Sequence, residues 1–222
     1  MLCFWGQPRY SREPFAPFGY ELFLREGEPD HWRVPTDFSQ FTAQQIIDLL
    51  IRTAPQLPKS TPNLSINADI DQFVDPKFYL RFAQIKQQLP TVNLAVELTE
   101  HPAKHPIADT QLLAAARSFD QFGMRVILDD VGSGDNNLAR IELMDPYVHE
   151  YKFAVQNFRP AQTLEAILPK LTYWHAMAKQ HHKLLTIEGV ESVADIAVLS
   201  HYQVEMLQGY FLGRPEYLPA EA

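Results

Sequence analysis

Short runs in which apolar and polar residues alternate recur along the chain, and stretches with apolar residues spaced three and four apart lie between them. The alternating runs predict strands at Tyr20 to Arg25, Asn63 to Asn67, Asn93 to Leu98, Arg125 to Asp129, Val148 to Lys152, Leu184 to Ile187 and Val204 to Gln208. Leu2 to Tyr10 can supply an eighth. Between them, helix starts are written into the sequence. Thr42 and Gln45 form a capping box ahead of Ile46, Ile47, Leu50 and Ile51. Asp75-Pro76 reads as an N-cap with proline in the first helical position, and Ser192 with Asp195 repeats the capping signature. A long helical pattern begins near Gln162 and ends at His181, His182 and Lys183, where positive charge suits the helix dipole. Pro169 predicts a kink or a division within it.

Strand alternating with helix argues for a mostly parallel sheet. Whether that sheet is open or closed is decided by how the strands end. Six finish at or next to a polar residue: Asn67, Glu97, Asp129, Lys152, Glu188 and Gln208. In a parallel barrel all strand C-termini meet on one face, whereas an open sheet gathers only those near its switch point. The sequence therefore predicts an α/β, TIM-like (β/α)8 barrel. With no low-complexity run, long charge block or Gly/Ser-rich linker, it predicts a single domain over residues 1–222.

Alternation also selects the inward face. Leu94, Val96 and Leu98 share one side of their strand, and Asn93, Ala95 and Glu97 the other; Glu21, Phe23 and Arg25 likewise oppose Tyr20, Leu22 and Leu24. Glu21, Glu97, Asp129 and Asn67 would then meet in the barrel mouth, with Asp130 and Glu188 nearby. Carboxylates so crowded cannot all stay ionised in a low-dielectric pocket unless cations compensate them. An all-oxygen ligand set suits hard ions such as magnesium or manganese. The adjacent Asp129-Asp130 pair suits two ions about 3.5–4 Å apart, the clamp used for in-line displacement at a phosphodiester. Arg25 can hold a phosphate oxygen, and Lys152 can steady developing charge.

Composition narrows the setting. The formal net charge of −8 argues against duplex nucleic acid as a partner, while metal ions would still admit an anionic ligand. Cys3 is the lone cysteine, the N-terminus has no secretory pattern, and no apolar stretch reaches the roughly 18 residues of a membrane span. A cytoplasmic protein is expected. The eight histidines, including His101, His105, His181 and His182, show no zinc-site spacing and read as surface residues. Taken alone, any one of the acids would read as a helix cap or a solvated charge; their recurrence on successive strand ends is what carries the argument.

The motifs together resemble the EAL family, whose signature is Glu-Ala-Leu, any residue, then Arg. Here Glu21-Leu22-Phe23-Leu24-Arg25 takes that place. The likeness continues through Gln7-Pro8, Leu64-Ser65-Ile66-Asn67, Glu97-Leu98-Thr99-Glu100, Asp129-Asp130-Val131-Gly132-Ser133-Gly134, Lys152, Glu188-Gly189-Val190-Glu191 and Gln208-Gly209-Tyr210, in family order and over almost the whole chain. The resemblance implies a barrel whose first strand runs antiparallel, and an enzyme that cuts cyclic di-GMP to linear pGpG with two magnesium or manganese ions. By position, Glu21, Asn67, Glu97 and Asp129 would hold the first ion, and Asp129 and Asp130 the second. Glu188 would be the general base for the attacking water, positioned or stabilised by Lys152. Arg25 and Gln208 would bind substrate, and Glu100 would anchor the loop after Asp129. A homodimer is also implied. The chain departs from the family at Leu22-Phe23, at Phe153-Ala154 after Lys152, where Ile-Asp is usual, and in the loop Val131 to Asn137, which lacks two aromatics. Those departures motivate an alternative: a domain that has kept the pocket but serves as a cyclic di-GMP receptor or a protein-interaction module.

Overall fold

The computed structural model describes residues 1–220 apart from Pro14, Asp30 and Pro160, and only the main chain of Ser39 and Lys86. Its strands are β1 (Leu2–Ser11), β2 (Ala16–Glu28), β3 (His31–Arg33), β4 (Asn63–Ala68), β5 (Asn93–Leu98), β6 (Arg125–Leu128), β7 (Val148–Ala154), β8 (Leu184–Glu188), β9 (Met206–Leu207) and β10 (Glu216–Leu218). Its helices are α1 (Ala43–Thr53), α2 (Ile70–Phe73), α3 (Pro76–Gln88), α4 (Asp109–Gln121), α5 (Leu138–Met144), α6 (Leu164–Gln180) and α7 (Val193–Leu199).

Eight strands close a barrel in the order β1-β9-β8-β7-β6-β5-β4-β2, sealed by pairing of β2 back onto β1. The strands from β2 through β4 to β9 pair parallel to one another, and β1 runs antiparallel to both of its barrel neighbours. This is the closed barrel that the strand ends predicted, with the reversed first strand that the resemblance implied. The reversal is a consequence of connectivity. β1 and β2 form a hairpin, and a short hairpin can join only antiparallel strands.

The core lies between the barrel wall and the helices. Outward-facing Leu94, Val96, Val126, Leu128, Tyr151, Phe153, Leu185 and Ile187 join one cluster with Phe82, Ile85, Phe119, Ile141, Leu171 and Trp174 from the helices. Within it the Phe73 and Phe119 rings lie 4.8 Å apart and Tyr151 meets Trp174 edge-on. Fully burying each such side chain contributes about 1.5–3 kcal/mol, so the outer face of every strand is committed to packing and the inner face is left for polar groups.

The capping predictions hold in detail. Thr42 and Gln45 close a reciprocal box at α1, Asp75 caps α3 ahead of Pro76, and Ser192 and Asp195 close a box at α7. Pro169 neither ends nor divides α6. It lies on the exposed side, and the ladder bond it cannot donate would have gone to the carbonyl of exposed Glu165, where water can substitute. The short strands β3 and β10 had no alternating run to announce them. They flank the part of the β1–β2 hairpin that rises beyond the barrel, β10 on β1 and β3 on β2. The strand read as Val204 to Gln208 is shorter as a ladder, but Gln208 continues it through a hydrogen bond from its N–H to the Ile187 carbonyl at 3.0 Å.

Candidate functional site

Each strand carries an inward side chain to the same end of the barrel. Glu21 on β2, Glu97 on β5, Lys152 on β7, Glu188 on β8 and Gln208 just after β9 are all buried there. Asn67 at the end of β4 and Asp129 just past β6 complete the ring. The Lys152 ammonium sits at its centre, 2.9 Å from Glu21 and 3.2 Å from Asp129, and in close ion pairs with Glu97 and Glu188. Glu21 is fixed from its other sides, accepting hydrogen bonds from Asn67 Nδ2 at 2.8 Å and Gln208 Nε2 at 2.7 Å. Gln7 of β1 in turn accepts from Gln208 at 3.1 Å.

Asp129, Asp130 and Glu188 make a second grouping. One carboxylate oxygen from each lies within 4.8 Å of the others, the one such set of potential metal ligands among the described residues. Asp130 adopts a left-handed backbone at φ 46°, unusual for a residue with a side chain. Asn157 donates to that carboxylate at 2.8 Å, and Gln156 donates to Glu188 at 3.2 Å.

Burial and mutual repulsion shape the protonation of these acids. Burial, reinforced by the charge on Glu21, pushes Glu97 up to about 7 even though Lys152 and Arg9 pull it down. Burial likewise raises Asp129 well above the usual carboxylate range, and raises Asp130 and Glu188. Glu21 is the exception. Despite its burial, the Lys152 charge and the donors Asn67, Lys152 and Gln208 bring it below the usual value. Lys152 is held charged far above its ordinary range because four carboxylates outweigh the cost of its burial.

A stability prediction follows from these directions. For Glu97 the folded state binds a proton more tightly than the unfolded chain, so its contribution is full below about 4.5 and lost as pH rises to about 7. Asp129, Asp130 and Glu188 act in the same direction. Glu21 acts oppositely but only in acid below its unfolded value, and Lys152 only in strong alkali. The Tm of the metal-free protein should therefore fall between about pH 5 and pH 7.5, and saturating manganese should flatten that slope by replacing protons. Scanning calorimetry across that window checks it; a Tm that climbs with pH would contradict the assigned shifts.

Above the acids opens a cavity of about 1080 Å³, lined by Glu21, Arg25, Asn67, Asp129, Asp130, Glu188 and Tyr210. Its size suits a ligand at the large end of the small-molecule range, roughly 300–1,000 Å³. Arg25 reaches it with its guanidinium over the rings of Trp5 and Phe23, 5.9 and 5.7 Å from their centroids. Glu100 also borders the cavity, and its main-chain carbonyl receives the Asp135 N–H at 2.8 Å. Ala154 lies opposite Glu188 in the β7–β8 ladder and brings no carboxylate to the site.

Sequence reading missed three sets of groups. Gln156 and Asn157, which touch Glu188 and Asp130, lie in the turn beyond β7 where alternation no longer applies. Asn136, fully buried, sits under the Asp129 loop. Beneath the acids, Arg9 forms a buried ion pair with Glu150 and donates to Thr186 at 3.1 Å. Arg9 and Glu150 each keep the inward parity of Gln7 and Lys152 two residues away, so counting in twos from those residues finds them. His181, read as a surface residue, instead meets Asp145 at 2.8 Å on the helix side of the wall.

The profile described as EAL domain matches residues 2–215. The chain belongs to the EAL domain family. This EAL domain is 27% identical over 225 residues to the probable cyclic di-GMP phosphodiesterase PdeN of Escherichia coli (strain K12), covering 94% of the chain and 42% of that protein. It is 24% identical over 237 residues to the oxygen sensor protein DosP of the same organism, covering 97% of the chain and 28% of DosP. The chain thus spans less than half the length of these relatives. Among solved structures, a standalone versatile EAL protein from Vibrio cholerae O395 in its c-di-GMP-bound form superposes with a TM-score of 0.78 at 20% identity, over 97% of this chain and 92% of that one. The Bacillus subtilis YkuI protein, solved with substrate c-di-GMP and calcium, gives a TM-score of 0.77 at 18% identity, over 99% of this chain and 56% of that one. At these identities the likeness is one of fold. No helix among the described residues is long and apolar enough to cross a membrane.

Proposed function

We propose that this EAL domain hydrolyses cyclic di-GMP to linear pGpG with two divalent metal ions, magnesium or manganese, held at the barrel mouth. The observation that carries the reading is a charge imbalance. Six carboxylates (Glu21, Glu97, Asp129, Asp130, Glu150 and Glu188) face two cations, Arg9 and Lys152, in and at the mouth of the barrel, and with all six ionised the surplus is four negative charges. Two divalent cations would cancel it. The donor set fits them: all oxygen, with buried Oε1 of Glu97 and Oδ1 of Asp130 accepting no hydrogen bond. Glu21, Asn67, Glu97 and Asp129 would hold one ion, and Asp129 and Asp130 the other. When bound, such ions neutralise charge on a phosphodiester and acidify water.

The chain's own residues supply the rest. Arg25 and Gln208 border the ligand cavity or its floor, where a guanidinium can grip a phosphate oxygen and an amide can orient the reacting group. Glu188, its carboxyl raised by burial, accepts the proton of the attacking water. Lys152, kept charged by its four acid neighbours, holds Glu188 in place and stabilises charge that builds at phosphorus. The water oxygen bonds to phosphorus as one bridging P–O bond of the ring breaks, and the departing ribose oxygen takes a proton from solvent to leave as a hydroxyl, which linearises the dinucleotide.

The test is purified protein with cyclic di-GMP and manganese, product followed by chromatography, beside an Asp129→Ala control. Manganese-dependent pGpG that disappears in the control is the expected result. Saturable cyclic di-GMP binding with no product would replace the enzyme with a receptor.

A further inference from the structure

The loop from Val131 to Asn137 lacks the family's aromatics yet is tied by backbone bonds to Lys152 and Glu100 and by one buried side-chain amide. Asn136 Nδ2 donates to the Leu98 carbonyl at 2.9 Å and also to the Asp129 carbonyl. Leu98 follows Glu97 at the end of β5, and its carbonyl already accepts the Asp129 N–H at 3.1 Å. The β5–β6 ladder stops at Leu98 and Leu128, so the amide carries the pairing of these two strands one residue further, up to the first of the two aspartates. The Asn136 main-chain carbonyl closes the loop on itself by accepting the Gly132 N–H at 2.8 Å.

The amide is itself held. Arg140, one turn along in α5, donates from Nη1 to Asn136 Oδ1 at 3.2 Å and from Nη2 to Asp135 Oδ2 at 2.9 Å. Asn137 caps the same helix through the Ala139 and Arg140 N–H groups. Helix, asparagine and strand ends thus form one clip, and what it grips is the peptide joining Asp129 to Asp130, the residue with the left-handed φ of 46° whose carboxylate lies beside those of Asp129 and Glu188.

We infer that Asn136, locked by Arg140, is the positioning element that holds Asp129 and Asp130 in ligating geometry, and that it takes over the loop-anchoring work from the Glu100 carboxylate. Glu100 contributes its backbone carbonyl, which accepts the Asp135 N–H at 2.8 Å, and one oxygen of its carboxylate lies 3.7 Å from His101 Nδ1. This inference rests on the reading of Asp129 and Asp130 as metal ligands. Its logic is that of outer partners which orient ligands without touching the ion, whose loss costs about 10–100-fold in metal affinity.

The test is a calorimetric titration of manganese into the full chain without nucleotide, with Tm of the metal-free protein recorded in parallel. Asn136→Ala should weaken manganese binding about 10–100-fold, and Arg140→Ala should weaken it in the same direction by less. Glu142→Ala, exposed on the same helix, is the control and should bind as the parent does. Glu100→Gln, which keeps the carbonyl, should lose less than Asn136→Ala. Arg140→Ala changes only a half-buried surface residue and decides the matter if Asn136→Ala fails to fold. Parent-like manganese affinity in folded Asn136→Ala and Arg140→Ala overturns the inference, as does a Glu100→Gln loss equal to that of Asn136→Ala. A parent protein that binds no manganese overturns the metal reading itself, while one that binds manganese without hydrolysing cyclic di-GMP fails only as an enzyme.

Discussion

Replacing Glu188 with glutamine is expected to lower turnover of cyclic di-GMP by about 10²–10⁴-fold, the usual worth of a general base, while leaving nucleotide affinity within a few-fold. The substitution keeps the shape but removes the negative charge, and with it the ability to take a proton and the ion pair to Lys152. In the proposed mechanism Glu188 serves proton transfer. It is buried at the end of β8, ion-paired to Lys152 on one side, hydrogen-bonded by Gln156 at 3.2 Å on the other, and borders the ligand cavity. Product chromatography gives turnover, and calorimetry gives nucleotide and manganese affinity separately. Turnover within tenfold of the parent would remove Glu188 from the role of base. A parallel collapse of manganese affinity would make it a ligand instead, which its closeness to Asp129 and Asp130 makes a concrete possibility.

How much of this was readable beforehand depends on which interaction fixes each residue. Strand parity is local, and so Glu21, Asn67 and Glu97 could be aimed into one mouth from alternation, with Lys152 and Glu188 placed there by their position at strand ends. The closure of the barrel was legible because six strands, not only a central pair, finish at or next to a polar residue. Capping boxes are equally local, which is why the starts of α1, α3 and α7 match. What escaped depends on partners distant in sequence. The Arg9–Glu150 pair spans 141 residues, and the Asn136 amide reaches back 38 residues to Leu98. Neither residue type announces a buried role, since an arginine or asparagine is ordinarily exposed. The short strands β3 and β10 were invisible for another reason. At three residues each, they are held by the β1–β2 hairpin rather than by any pattern of their own. The loss of an acid at Ala154 was visible in the sequence, but not the two amides, Gln156 and Asn157, that the following turn brings to Glu188 and Asp130.

Lys152 should prove as important to folding as to chemistry. Its side chain is 1% exposed and its ammonium is shared by four carboxylates. Removing one partner of a buried ion pair costs about 3–5 kcal/mol, because the charges left behind stay buried and unpaired. Lys152→Met fills nearly the same space without the charge. For a chain of this size each kcal/mol shifts Tm by roughly 2–4 °C, so the metal-free variant should melt about 10 °C or more below the parent. The acids will partly relieve the strain by taking up protons, so the deficit should be larger at pH 8 than at pH 5.5. Two divalent ions would supply the positive charge the variant lacks. Manganese should accordingly raise the Tm of Lys152→Met by more than it raises that of the parent, while activity stays lost because neither ion stands where the ammonium held Glu188. Calorimetric scans at both pH values, with and without manganese, contain the whole prediction. A metal-free variant that melts within two degrees of the parent would mean that the four acids are already protonated or solvated. The surplus of negative charge from which two metal ions were inferred would then not exist.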